Sequence, residues 1–383
     1  MRVLFAGGGT GGHIYPALAV AEALRRAEML FVGSKRGIEE RIVRGAGLAY
    51  RGVPVEGFHR RLTPENLLFP FRLVSALIAA WRIVRGFRPQ VVLGTGGFAS
   101  GPPVLAAWLQ GVPIVLQEQN AHPGVTTRIL SRWAAEVHLA FAEALDELPE
   151  GVRDRTRCTG NPVRVSLAAD LLGAGAGADS RRAARGEIEG LDPERATLLV
   201  LGGSQGSRLL NRSVGRMLEG EIERLPPCQI LWATGRKLHA EVMETQLPAS
   251  LEIPVVVRPY LEEMSTAYAA ADLVLCRAGA ITCAELALVG RPSVLVPLAS
   301  AAGDHQSHNA RALSDAGAAR IVSEDRLADP RRSGRILAEL LSELLSDREA
   351  LDEMASSARS LARPEAAREI AARLAAIAGE EVA

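Results

Sequence analysis

Three glycine-rich turns hold most of the chemistry open to this 383-residue chain. Gly7-Gly8-Gly9-Thr10-Gly11-Gly12 satisfies G-x-G-x-x-G after an apolar run and before a helical pattern. Glycine lets backbone N–H groups approach an anion closely, and a helix N-terminus adds positive potential, so this turn can hold a phosphate. A dinucleotide site would want an acid about 20 residues further on, to bind the ribose. Gly33 and Ser34 stand there instead, followed by Lys35 and Arg36. An NADP site and a plain tight turn both stay open as readings. Gly94-Thr95-Gly96-Gly97-Phe98-Ala99-Ser100-Gly101 and Gly202-Gly203-Ser204-Gln205-Gly206-Ser207 also follow apolar runs. Three such loops at strand C-terminal ends, facing one another across a cleft, would supply many N–H donors, and a diphosphate-bearing ligand between two domains fits them best.

The polar residues near these turns each admit two readings. Arg277 to Glu285 follow a strand and open a helix, which places Glu285 on its second turn. A carboxylate there can accept two hydrogen bonds from a ribose diol, or it can complement the helix dipole. His13 directly follows the first glycine turn, where an imidazole can act as a general base or simply be a polar residue of a first helical turn. His305 and His308 are spaced i and i+3 within Asp304-His305-Gln306-Ser307-His308-Asn309, which raises a metal site; with no further ligand placed by the pattern, capping or solvated side chains also account for them. The usual handle for a nucleotide-bound divalent ion, Asp-x-Asp, is absent. Charge on a leaving diphosphate would then fall to amides, helix dipoles and arginine.

Positioning these residues requires alternating strands and helices. Apolar runs predict strands at Val3–Ala6, Leu30–Val32, Val91–Leu93 and Ile114–Leu116, and a second series at Leu198–Leu201, Gln229–Trp232, Val255–Val257, Leu273–Cys276 and Val294–Val296. Helical patterns intervene, the first predicted over Pro16–Arg26. Strand, glycine turn and helix occur at Val3 to Ala23 and again at Leu198 to Val214, a coarse repeat that predicts two α/β, Rossmann-like halves with parallel sheets. Gly160-Asn161-Pro162 is a turn signal, and a Gly/Ala stretch from Leu172 to Ala178 reads as a surface linker, so the boundary is placed near Val163. Pro364 permits a last helix.

Composition narrows the function classes. Hydrophobic residues at 48% and charged residues at 23% fit a folded globular chain rather than disorder, collagen or coiled coil. Lys+Arg and Asp+Glu both number 44, so no basic footprint for nucleic acid exists. The four cysteines, Cys158, Cys228, Cys276 and Cys283, lie far apart and read as small buried hydrophobes in a reducing compartment. Met1 to Phe5 run straight into glycines without the apolar core of a signal peptide, and the apolar stretch Leu73 to Trp81 is too short to span a membrane, so a cytosolic protein is expected. Leu67 to Phe87 nevertheless interleaves Leu67, Leu68, Phe69, Phe71, Leu77, Ile78, Trp81 and Phe87 with Arg72, Arg82 and Arg85, after Arg60 and Arg61 and before Arg88. It reads either as a helix lying on anionic lipid or as a core helix with solvated arginines.

Read together, Gly8 to Ala17, Gln117-Glu118-Gln119-Asn120, Gly160 to Arg164, Gly202 to Gly206 and Arg277 to Glu285 closely resemble, in order across nearly the whole chain, the MurG family of UDP-N-acetylglucosamine transferases of peptidoglycan synthesis. The resemblance implies a GT-B fold: an acceptor- and membrane-binding domain over residues 1–163, completed by a C-terminal helix over 364–383, and a UDP-GlcNAc-binding domain over 164–363. It implies inverting transfer of GlcNAc from UDP-GlcNAc to the MurNAc 4-hydroxyl of lipid I, forming lipid II, with no metal and no cofactor. Thr10, Gly11, Gly12, Asn120, Arg164 and Ser204 would contact the donor or its diphosphate, and Leu261 the uracil. Ala280, Ile281, Thr282, Cys283, Ala284 and Glu285 would hold diphosphate and ribose, Gln306 the sugar, and His13 would be the base. The apolar segment with its arginines, and Trp108, match a patch facing anionic inner-membrane lipids, which implies a peripheral enzyme on the cytoplasmic face of the membrane, with other cell-wall synthesis proteins as candidate partners. This chain departs from the family at Ala278, often Ser, at His305, often Gln, and in a short Arg25–Leu30 segment.

Three rivals stand beside that reading: a UDP-GlcNAc 2-epimerase, an NADP oxidoreductase, and a non-enzymic membrane scaffold. The basic and apolar composition of Leu67 to Trp81 speaks against the first, and the complete set of donor motifs against the last.

Overall fold

The computed structural model describes residues 1–24, 26–35, 37–55, 69–173, 177–203, 205–247 and 251–380. The chain divides into two compact units, Met1–Val165 together with Arg363–Ala383, and Ser166–Ala362. In the first unit the order is β1 (Arg2–Ala6), α1 (Gly11–Ala23), β2 (Glu28–Ser34), α2 (Glu39–Gly45), β3 (Ala49–Val53), α3 (Phe69–Phe87), β4 (Val91–Gly94), α4 (Gly101–Leu109), β5 (Ile114–Glu118), α5 (Val125–Leu130), β6 (Glu136–Leu139) and β7 (Thr156–Cys158). The second unit runs α6 (Val165–Gly173), α7 (Ala178–Gly186), β8 (Ala196–Leu201), α8 (Arg208–Gly220), β9 (Cys228–Ala233), α9 (His239–Thr245) and β10 (Val255–Arg258). It continues through α10 (Met264–Ala270), β11 (Leu273–Cys276), α11 (Ala280–Val289), β12 (Ser293–Leu295), α12 (His305–Asp315), β13 (Ala319–Ile321), α13 (Glu324–Ala328), α14 (Ser333–Ser346) and α15 (Arg348–Ser360). The last helix, α16 (Ala366–Ile377), belongs to the first unit, where it packs against α1.

Each unit is built on one parallel sheet, ordered β3-β2-β1-β4-β5-β6-β7 and β10-β9-β8-β11-β12-β13. These are the two α/β halves with parallel sheets expected from the repeat. A parallel sheet with helices on both faces buries both sides of its central strands, so those strands read as unbroken apolar runs. Val3, Leu4 and Phe5 are wholly buried, as are Leu198, Leu199 and Val200.

Four strands escape that rule. β3, β6, β7 and β13 contain Arg51, Glu136, His138, Arg157 and Arg320, polar residues that conceal them from a hydrophobic scan. In β6 the reason is tertiary: buried Glu136 accepts from Arg157 on β7 and from Arg373 Nε on α16 at 2.9 Å. Two further readings need correction. The first helix begins at Gly11 rather than Pro16, because Thr10 takes the extended N-cap position. Pro16 therefore lies inside the helix, where its missing N–H costs one hydrogen bond that the burial of Ile14, Ala17 and Leu18 offsets. Cys158, at the end of the edge strand β7, is exposed, whereas the other three cysteines are buried.

His138 beside Glu136 gives an acid-stability prediction. Burial, opposed by Glu136 and reinforced by Arg157 and Arg373, pushes its pKa down to about 4. At neutral pH the ring is uncharged, so its 3.7 Å approach to Glu136 is not an ion pair. Unfolding returns the ring to an ordinary pKa of about 6.5, so the unfolded chain binds more protons between these values. The neutral ring's contribution is therefore full above about pH 6.5 and drains away as pH falls toward 4, by on the order of 3 kcal/mol. Urea unfolding from pH 8 to pH 4 should show this loss, and His138→Leu should flatten the slope in that window. An identical slope in the variant would remove His138 as the cause.

Candidate active site

In the first unit, β1 and β4 are neighbours whose chains leave in opposite directions, to β2 and to β5. Ligands in open α/β sheets bind beyond the strand C-termini at such a switch point. Two of the glycine turns meet there. Gly97 has φ +76°, and a Cβ on it would stand 2.1 Å from the Gly8 carbonyl oxygen, so the loops touch backbone to backbone. Buried Glu39, at the start of α2, accepts from the Gly9 N–H at 2.7 Å and holds the first turn from beneath.

His13 lies in the first turn of α1, clamped by both neighbouring loops. Its Nδ1 is 2.7 Å from Gln119 Oε1 and 3.1 Å from the Thr95 carbonyl oxygen, while the Thr95 hydroxyl donates to the His13 carbonyl at 2.6 Å. Buried Gln119 is itself oriented, because its Nε2 donates at 2.9 Å to the carbonyls of Thr95 and Gln117. Two acceptors therefore face Nδ1, which places the proton there and leaves Nε2 with its lone pair. That is the tautomer a general base needs.

The other residues predicted in the first unit are Thr10, Gly11, Gly12, Asn120 and Arg164. Thr10 is exposed at the N-cap of α1 without using its side chain as a cap, and the opening N–H groups of Gly11 and Gly12 follow it. Asn120 follows β5 in a turn organised by buried Glu118, whose Oε1 accepts from the Asn120 N–H and Nδ2 at 3.1 Å each. The other oxygen of Glu118 accepts from the Gly124 N–H and the Thr127 hydroxyl. Arg164 is exposed beyond β7. Ser204 lies outside the described residues, as do Arg60, Arg61, Leu67 and Leu68.

In the second unit the same logic recurs at β8 and β11, the neighbours at its own switch point. Ser207 caps α8, accepting from the Leu210 N–H. Buried Arg277 joins three loops: its Nη2 donates to the Ser207 hydroxyl at 2.7 Å and pairs with Glu324 Oε1 at 2.6 Å, and Nη1 reaches the Val296 and Pro297 carbonyls. α11 starts at Ala280, so the N–H groups of Ala280, Ile281 and Thr282 open toward solvent or a ligand at its positive end. Cys283 is buried and its thiol is pushed up to about 12 by burial, which makes it a packing residue rather than a nucleophile. Ala284 and Glu285 are half-buried.

Glu285 has a partner the sequence did not announce. Tyr268, 1% exposed, donates its hydroxyl to Glu285 Oε2 at 2.9 Å. Burial, and next the Glu285 charge, raise the phenol well above its ordinary range, so Tyr268 stays a neutral donor that orients the carboxylate. Leu261 is half-buried in the loop after β10. Gln306, second residue of α12, accepts from the Leu298 N–H at 3.0 Å through its side-chain oxygen. Among the described residues, no three His, Cys, Asp or Glu side chains gather as a metal site would.

The helix α3 answers to both readings of its sequence. Ala76, Ala80 and Val84 are buried in the core, and Leu77, Trp81 and Phe87 pack partly against it. On the opposite side Phe71, Val74 and Ile78 are exposed, and Arg82 and Arg85 continue that stripe. Trp108, 36% exposed at the end of the neighbouring α4, stacks on Trp133 with ring centroids 4.7 Å apart. No described helix is long and apolar enough to cross a membrane.

Comparison with known proteins accounts for both units. Residues 3–139 match the glycosyltransferase family 28 N-terminal domain and residues 197–373 its C-terminal domain. A relative from Salinibacter ruber, "UDP-N-acetylglucosamine--N-acetylmuramyl-(pentapeptide) pyrophosphoryl-undecaprenol N-acetylglucosamine transferase", is 41% identical over 332 residues, covering 84% of each chain. The crystal structure of Acinetobacter baumannii MurG superposes with a TM-score of 0.75 at 30% identity, covering 97% of this chain and 98% of that one. A UDP-GlcNAc 2-epimerase from Neisseria meningitidis superposes at 0.62 with 14% identity over 97% and 98%, a likeness of fold alone. Matched in order through both units, the chain belongs to glycosyltransferase family 28 and, within it, to the MurG family of N-acetylglucosamine transferases.

Proposed function

We propose that this enzyme transfers N-acetylglucosamine from UDP-GlcNAc to the MurNAc 4-hydroxyl of lipid I (undecaprenyl-pyrophosphoryl-MurNAc-pentapeptide), with inversion at the anomeric carbon, to give lipid II and UDP. The observation that carries this reading is the 41% identity, over 84% of each chain, to a transferase whose name states that donor and that acceptor. His13 Nε2 takes the acceptor proton as the hydroxyl attacks, while Gln119 and Thr95 hold Nδ1–H. The N–H groups at the α11 start, with Thr10, Gly11, Gly12, Asn120, Arg164 and Ser204, meet the donor and its departing diphosphate, where preorganised dipoles stabilise developing charge. Glu285, steadied by Tyr268, accepts from the ribose hydroxyls. Leu261 packs on the uracil, and Gln306 Nε2 binds the sugar.

The acceptor is a lipid, and α3 offers a surface suited to one. Its stripe of Phe71, Val74 and Ile78 continuing into Arg82 and Arg85 fits an anionic bilayer, apolar groups entering the interface while guanidiniums meet head groups. The enzyme is then peripheral, on the leaflet that carries lipid I.

One assay tests both parts. UDP release is measured with UDP-GlcNAc and a lipid I analogue presented in anionic or in neutral vesicles, with and without the acceptor. Release should require the acceptor and be faster on anionic vesicles, and added salt should narrow that difference. UDP release that ignores the acceptor, or epimerised donor in its absence, would sink the transferase reading; equal rates on both vesicles would sink only the lipid surface.

A further inference from the structure

Away from the glycine turns, the second unit gathers an unbalanced set of arginines. Asp272, at the foot of β11, is paired with Arg181 and Arg185 of α7 and with Arg348 of α15, and it also accepts from the Thr197 N–H at 2.8 Å. Arg348 reaches Asp352 as well, at 3.4 Å. Arg291, just beyond α11 and 2% exposed, donates only to neutral acceptors, the Tyr268 and Ala269 carbonyls at 2.7 and 2.9 Å. Arg359 of α15 crosses Gly290, whose φ of +61° leaves a space where a Cβ would stand 2.4 Å from the Arg359 Cγ. Among the described residues, neither Arg291 nor Arg359 pairs with a carboxylate.

Four guanidiniums, those of Arg181, Arg291, Arg348 and Arg359, thus face the carboxylates of Asp272 and Asp352 around one concavity walled by Pro292, Leu351 and Ala355. Burial, and then the neighbouring Arg181, push Arg291 down to about 10, and burial also lowers Arg181. Burial is the larger cause in both, and neighbouring guanidiniums add to it. Planar guanidinium forks match phosphate oxygens in bidentate geometry, and a partly desolvated cluster of them binds phosphate better than surface lysines do.

We propose that this concavity, lined by Arg181, Arg291, Arg348 and Arg359, is a second anion site that takes a phosphate group. Its lining belongs to α7, α15 and the far end of α11, whereas the donor residues proposed above use the start of α11. The phosphate is supplied either by a small free phosphate or by a phospholipid head group, two sources of one chemistry. The transfer of the sugar does not depend on this site, although a head-group ligand here would add to the preference for anionic vesicles.

The test is calorimetric titration of inorganic phosphate into the intact protein at constant ionic strength, with saturating UDP present to occupy the donor site and again without it. Arg348→Gln with Arg359→Gln is the comparison, since both side chains are exposed at the rim and their removal leaves the buried Asp272 pairs to Arg181 and Arg185 in place. Phosphate should bind the wild type with UDP present, and the double variant should bind it on the order of 100-fold more weakly, about tenfold for each guanidinium. In a second arm, sedimentation with phosphatidylglycerol and with phosphatidylcholine vesicles identifies the source. Phosphatidylglycerol binding that the same substitutions weaken, without binding of free phosphate, supports the site with a head group as its ligand. Free-phosphate binding that survives both substitutions unchanged, or no free-phosphate binding together with phosphatidylglycerol binding that is absent or unchanged by them, overturns the proposal.

Discussion

Replacing His13 by alanine lowers turnover by roughly 100-fold to 10,000-fold while the affinity for UDP-GlcNAc stays nearly constant, the signature of a lost general base rather than a lost binding contact. The size follows from what the ring does. Gln119 Oε1 and the Thr95 carbonyl hold the proton on Nδ1, so Nε2 is already the basic nitrogen and needs no rearrangement before it accepts a proton. Removing the imidazole leaves water to do that work. Gln119→Leu offers a separate check, because it removes the orienting acceptor and keeps the ring; its loss should appear in turnover and be smaller. Turnover in His13→Ala that matches wild type, or that falls in step with donor affinity, would reassign His13 to positioning.

Glu285→Ala should weaken UDP-GlcNAc binding on the order of 100-fold to 10,000-fold by calorimetry. Two hydrogen bonds from ribose hydroxyls to a carboxylate are lost, at roughly 1.5 to 3 kcal/mol each, and the buried Tyr268 hydroxyl loses its acceptor as well. Tyr268→Phe separates these contributions. It keeps the carboxylate and the ring but frees Glu285 Oε2 from its donor, so donor affinity should fall by about tenfold with little change in turnover at saturating donor. Unchanged donor affinity in Glu285→Ala would take the carboxylate out of the nucleotide site and return it to the simpler role of complementing the helix dipole.

Much of this molecule could be read along the chain. Central strands such as Val3–Ala6 and Leu198–Leu201 are apolar throughout because both their faces are covered, and the glycine turns that follow them carry their own spacing. The repeat of strand, turn and helix at Val3 and Leu198 therefore announced two parallel-sheet halves, and the order of five motifs pointed to the family. Residue types and spacing were enough here, since backbone conformation and the faces of a single element depend on neighbours within a few residues.

Partnership was decided only by the folded chain. His13 meets Gln119 from 106 residues away, Glu285 meets Tyr268 across two helices, and Glu136 is neutralised by Arg373 from 237 residues away, which is why β6 tolerates a carboxylate that hid it from a hydrophobic scan. The same holds for Cys158, exposed because its strand fell at a sheet edge, and for α3, whose sequence suits core and interface equally until its packing assigns Ala76, Ala80 and Val84 inward and Phe71, Val74 and Ile78 outward. The physical reason is common to all of them. Which strands lie side by side is set by the total burial that one arrangement achieves, and no local periodicity encodes that sum.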